Sequence, residues 1–92
     1  MEQIETGQAT GISINLGKPH KVILFDDSVH SMDEVVSQIE KATGCGSQHA
    51  TSIMLEAHNA GRAIVWSGGL ERCEHIEAIL SEIRLGTKIE PA

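Results

Sequence analysis

Aromatic side chains are nearly missing from this sequence: Phe25 and Trp66 are the only two, and tyrosine is absent. A surface that stacks nucleotide bases needs a platform of rings, and a core without rings has to be assembled from Ile, Leu, Val, Ala and Met. Basic residues are also few, seven Lys and Arg against thirteen Asp and Glu, for a formal net charge of −6. They are dispersed, whereas phosphate recognition needs them clustered. Neither nucleic acid nor an anionic membrane is therefore an expected partner. An acidic protein attracts cations instead, including the ammonium of a peptide N-terminus. The two cysteines, Cys45 and Cys73, form no CxxC pair and no disulfide framework; they read as free thiols of a reducing compartment, which places the protein in the cytoplasm. The longest strongly apolar run is Val22-Ile23-Leu24-Phe25, far short of the roughly 20 residues that span a bilayer. Met1-Glu2-Gln3-Ile4-Glu5-Thr6 has neither the basic region nor the apolar stretch of a secretory signal.

What is present suffices for one small domain. The chain has 92 residues, 40% of them hydrophobic, which suits a folded globule. Residues 1–19, rich in Gly, Thr, Ser and Gln and ending at Gly17-Lys18-Pro19, read as a flexible N-terminal extension; residues 20–92 read as the folded domain. His20 to Phe25 is β-branched and apolar, the pattern of a buried strand, and it stops at the turn cluster Asp26-Asp27-Ser28. Ser31-Met32-Asp33-Glu34 fits a capping box, and the helix behind it carries Met32, Val35, Val36, Ile39 and Ala42 on one face. Gly44-Cys45-Gly46 ends that helix. A second helix from about Gln48 to Ala60 has Ala50, Ile53, Met54 and Ala57 as its stripe, with Gly61 as a left-handed cap. Arg62 to Trp66 is a second strand, and Gly68-Gly69 turns the chain. Leu70, Cys73, Ile76 or Glu77, Leu80 and Ile83 mark a third helix closed by Gly86, before a short last strand over Thr87 to Glu90. The order β-α-α-β-α-β predicts an α+β fold in which a small three-stranded antiparallel sheet packs on three helices.

Three polar features could carry chemistry: Asp26-Asp27 at the end of the first strand, His30 in the loop after it, and His58 near the end of the second helix. Taken singly, an acidic pair after a strand is usually a solvated turn, and a methionine on an apolar face is ordinarily core filler. No nucleophile sits in a strained elbow, so no catalytic residue is assigned and the protein is not expected to be an enzyme. His20, His30, His49, His58 and His75 have no paired spacing, and neither cysteine has a partner at zinc-finger distance, so no metal is expected. Gly44-x-Gly46 lacks the rest of a dinucleotide fingerprint, there is no phosphate loop, and no cofactor is expected.

Joined in order, the segments say more. His20-Lys21-Val22-Ile23-Leu24-Phe25-Asp26-Asp27, Met32-Asp33-Glu34-Val35-Val36 and Ile53-Met54-Leu55-Glu56-Ala57-His58-Asn59-Ala60-Gly61-Arg62-Ala63-Ile64-Val65 resemble the ClpS family of Clp protease adaptors over roughly residues 19–90. The resemblance implies a binding protein that recognises an N-degron, a bulky hydrophobic first residue, and hands the substrate to a Clp AAA+ ATPase of the ClpA or ClpC type. It implies that Asp26, Asp27 and His58 hold the peptide α-amino group. Met32, Val35, Met54, Ala57 and Leu85 would wall a pocket for the first side chain, Ser28 and His30 would lie in the loop beside it, and Glu71 would dock the ATPase. The chemistry is consistent: an ammonium has three donors and a charge, and carboxylates and a neutral imidazole are suitable acceptors. Departures from the family pattern fall at the site. Asp26 stands where Asn is common, Ser28 where an acid is frequent, Ala57 where Val is common, Trp66 where many members have Gly, and Ile76 where a lysine would follow Glu71. Two other readings compete. One is a Clp-docking module with lost or altered degron binding, since fold alone does not settle function. The other is a small enzyme using Asp27 and His58 as an acid–base pair.

Overall fold

The computed structural model describes residues 17–92, and the expected extension over residues 1–19 lies almost wholly outside them. The described chain runs β1 (His20–Phe25), α1 (Met32–Thr43), α2 (Ser47–Ala60), β2 (Arg62–Gly68), α3 (Leu70–Leu80), a 3-10 turn (Ser81–Ile83) and β3 (Thr87–Pro91). This is the α+β arrangement predicted from the sequence, in the predicted order.

β1 is central, paired antiparallel with β2 on one side and β3 on the other. Its side chains do not alternate between core and solvent: Val22, Ile23 and Leu24 are all buried, as expected of a short unbroken apolar run in a middle strand. Val22 lies opposite Trp66 and Ile89, and Ile23 opposite Ile64 and Lys88, with a bulge against β2 between those two rows. Val22 and Leu24 enter one cluster with Ile39, Ile53, Ile76 and Leu80 from the three helices. α1 bridges α2 and α3, and both of those pack on the sheet.

The helix ends follow local chemistry. The Ser31 hydroxyl accepts the Glu34 N–H at 3.1 Å while the Glu34 carboxylate accepts the Ser31 N–H at 2.9 Å, a reciprocal cap that satisfies two otherwise orphaned donors. Gly44 and Gly61 close α1 and α2 in the left-handed region, at φ 77° and 93°.

Two boundaries differ from expectation. β2 continues past Trp66 to Gly68, where the Trp66 ring lies so close that a side chain on residue 68 would collide with it. The Arg72 guanidinium sits 5.7 Å from the centroid of that ring. The third helix does not reach Ile83 as an α-helix, and Gly86 is not its stop. It ends at Leu80, tightens into the 3-10 turn, and Arg84 takes the left-handed position at φ 64° with its N–H on the Ser81 carbonyl at 2.9 Å. The cause is packing: Leu80 and Leu85 are both buried, and a continuous α-helix would point them about 140° apart.

Candidate functional site

One backbone bond assembles the site. The Asp26 N–H donates to the Gly61 carbonyl at 2.9 Å, tying the end of β1 to the cap of α2. His58 lies in the last turn of α2, so this bond sets Asp26 beside it, with Asp26 Oδ1 3.6 Å from His58 Nδ1. That separation is too long for a hydrogen bond, and both side chains are about half exposed, 45% for Asp26 and 53% for His58. Their polar atoms therefore retain free acceptor capacity. The C-terminal end of α2 adds the partial negative charge of its unpaired carbonyls. A carboxylate, an imidazole and a helix C-terminus thus form one electronegative corner.

Asp27 is used differently. Its Oδ1 accepts the backbone N–H groups of Val29 at 2.8 Å and His30 at 2.7 Å, and its Oδ2 lies 3.0 Å from the His30 ring Nδ1. This is an Asx-type turn, in which a side chain replaces a backbone acceptor and folds the loop around itself. The carboxyl is only 13% exposed. The His30 backbone N–H, helped by the His30 ring and the Val29 N–H, holds its pKa below the ordinary 3.8 against the opposing effect of burial. The acid–base pair of Asp27 with His58 is not formed: Asp27 meets His30, and His58 meets Asp26.

A cleft of about 300 Å³, open mouth included, lies among these groups. Asp26, Asp27, His30 and His58 supply its polar lining; Met32, Val35, Met54 and Ala57 supply apolar wall. Val35, Met54 and Ala57 are buried, while Met32 is 48% exposed. Much of the cleft volume is open mouth, and the small enclosed part suits one side chain rather than a larger ligand.

Of the residues singled out from the sequence, these eight come together. Ser28 is exposed on the same loop but does not line the cleft. Leu85 is also absent from the lining; it is buried among the core residues, with its N–H directed to the Leu80 carbonyl at 3.4 Å. Glu71 is exposed in the first turn of α3, where its charge complements the helix N-terminus, and Ile76 five residues on is fully buried, a core position that excludes a lysine. Sequence reasoning missed Leu24 and Phe25 as cleft residues. The signal was their place directly before the acidic turn, since the last residues of a strand flank whatever its following loop forms.

Among the described residues no three His, Cys, Asp or Glu side chains gather as a metal site, and no helix is long and apolar enough to cross a membrane. Cys73 is buried, and that burial pushes its thiol pKa up, away from nucleophilic use.

Comparison with known proteins points one way. The family model described as ATP-dependent Clp protease adaptor protein ClpS matches residues 16–85. The ATP-dependent Clp protease adapter protein ClpS of Mycobacterium marinum is 41% identical over 56 residues, covering 61% of this chain and 55% of its own length. The protein of the same name from Nocardia farcinica is 36% identical over 58 residues, covering 63% and 55%. The chain thus spans about half the length of the curated relatives it matches. In three dimensions it is similar to Agrobacterium tumefaciens ClpS2, solved bound to L-phenylalaninamide, with a TM-score of 0.77 at 20% identity over 83% of this chain and 99% of that one.

Proposed function

The chain belongs to the ClpS family of ATP-dependent Clp protease adaptor proteins, and from that premise we propose that it binds the N-terminal residue of substrate proteins and delivers them to a Clp AAA+ ATPase. The observation that carries the reading is the juxtaposition of the half-exposed Asp26 carboxylate and His58 imidazole with an apolar cleft. An α-amino group differs from an internal peptide N–H by its positive charge and its three donors. The corner at Asp26 and His58 offers acceptors and negative potential to such a group, and the C-terminus of α2 reinforces both. Asp27 adds charge and the one Oδ2 lone pair that its own loop leaves open, since a carboxylate has about four acceptor sites and three are occupied. The first side chain then enters between Met32, Val35, Met54 and Ala57, where hydrocarbon and thioether surfaces favour a bulky apolar group such as Leu, Phe, Tyr or Trp. The phenylalanine amide bound by the structurally similar ClpS2 has these two parts, a free amine and an apolar side chain.

No covalent step belongs to this function; the adaptor binds and presents, and the protease partner cuts. Glu71, exposed at the start of α3, is our candidate contact for an ATPase of the ClpA or ClpC type. The domain proper is residues 20–92, and residues 1–19 serve delivery rather than recognition.

The test is a binding titration with peptides that differ only at their first residue, each with an N-acetylated control. Free-amine peptides beginning with a bulky apolar residue should bind, and acetylation should abolish specific binding because it removes both the charge and the donors. Equal binding of acetylated and free peptides would refute the N-degron reading and leave a Clp-docking module.

A further inference from the structure

We propose that His30 is a specificity-determining residue which makes the cleft prefer a first side chain carrying a hydrogen-bond donor, the phenol of Tyr or the indole of Trp, over the same ring without one. The inference rests on the N-terminal-residue reading of the cleft and deepens it. Among cleft-lining groups His30 is held in one particular state. Its backbone N–H is on Asp27 Oδ1 at 2.7 Å, its ring Nδ1 is 3.0 Å from Asp27 Oδ2, and its side chain is 18% exposed while lining the cleft. An ionised carboxylate only accepts, so Nδ1 must carry the proton of that bond. In the neutral ring the lone pair is then at Nε2, which makes no hydrogen bond among the described residues. His30 therefore offers a fixed acceptor to a cleft whose apolar wall is Met32, Val35, Met54 and Ala57. A ring N–H or O–H that reaches it is satisfied, whereas a hydrocarbon ring leaves the acceptor desolvated without a partner, and sites built on such a bond discriminate against the analogue that lacks it.

Asp27 thus acts as a positioning residue through the tautomer of His30. Replacing it with Asn keeps an oxygen for the Val29 and His30 N–H groups but turns an amide donor toward Nδ1. The ring must then move its proton to Nε2 and become a donor in the cleft. The preference should reverse.

The experiment compares matched peptides with free N-termini: Phe against Tyr, and Trp against 1-methyl-Trp, at about pH 7.5, above the ordinary imidazole range. In the natural protein at least one donor-bearing member should bind about three- to tenfold better than its partner, the span of one net hydrogen bond. In His30→Leu the ratios should fall to about one, and in Asp27→Asn the donor-bearing member should bind worse, with the ¹⁵N shifts of the His30 ring reporting exchanged tautomers. Each ratio is internal to one variant, so a uniform loss of affinity or of folded protein cancels. If His30→Leu does not fold, Asp27→Asn carries the test by itself. Matched peptides that bind with ratios near one in the natural protein, or ratios untouched by either variant, overturn the role of His30 and leave N-terminal recognition standing. Failure of every free-amine peptide to bind overturns both.

Discussion

Asp26 and Asp27 are neighbours in the chain, yet their carboxylates face different tasks. Asp26 is half exposed beside His58, while Asp27 is folded into its own loop by two backbone N–H groups and an imidazole. Asp27 should therefore contribute to stability where Asp26 does not. Asp27→Ala should destabilise the domain by about 1.5–3 kcal/mol near neutrality, the range for hydrogen bonds to a charged group. Because the folded-state pKa is lowered, the part of that contribution that depends on ionisation is complete above the ordinary 3.8 and is lost as pH falls through the lowered value. In denaturant unfolding the gap between the two proteins should narrow only in that acidic range; a gap that stayed constant down to about pH 2 would show that ionisation is irrelevant to it. Ala57 poses a different question, since it is buried and lines the cleft. If it limits the space for the first side chain, Ala57→Val should weaken a Trp-initiated peptide more than a Leu-initiated one by about 1 kcal/mol. Equal losses would move the wall elsewhere.

At the level of elements, site and stability meet at the helix caps. Removing the Ser31 hydroxyl leaves the Glu34 N–H without its 3.1 Å acceptor; Ser31→Ala should cost about 1 kcal/mol, read as a lowered unfolding midpoint. Gly61 does two jobs at once. It takes the left-handed conformation that stops α2, and its carbonyl receives the Asp26 N–H. A side chain there would meet no neighbouring atom within 4 Å, so Gly61→Ala should cost only backbone strain, about 1–2 kcal/mol. Whatever the backbone does to relieve that strain also moves Asp26 against His58. The variant should consequently lose peptide affinity as well as stability, and unchanged affinity in a folded Gly61→Ala protein would show that this bond does not set the corner.

For the whole molecule, every cleft residue that the structure describes falls between Leu24 and His58. Deleting residues 1–16 should therefore leave peptide affinity within about twofold, as expected when a terminal segment lies outside the domain that binds, while degradation by the ATPase should be impaired. Lost binding in the truncated protein would place those residues in the pocket. The third helix has a separate role at this scale. Its end is held to α1 by the largely buried Gln38, which donates to the Ile79 carbonyl at 2.6 Å and to the Glu82 carboxylate at 3.1 Å. Nothing in the hydrophobic stripe of α1 announces that a glutamine must be buried there.

The sequence by itself determined the class of fold, the order of its elements and the stops of its first two helices. Those features are written in short-range signals: an unbroken apolar run for β1, a stripe with Ser31 and Glu34 at capping distance for α1, glycines at 44 and 61 for left-handed caps. It also brought Asp26, Asp27, His30 and His58 to notice, not by their polarity, which is ordinary at strand and helix ends, but by the order and spacing of the segments that carry them. Only the tertiary structure decided that Asp26 rather than Asp27 meets His58, that Leu85 belongs to the core, that α3 gives way to a 3-10 turn, and that Leu24 and Phe25 reach the cleft. The physical reason is common to all four. Each depends on a contact between residues that local propensity does not couple: Asp26 with Gly61, Leu80 and Leu85 with a shared core, the end of β1 with α2. Such contacts exist only once the helices have closed over the sheet.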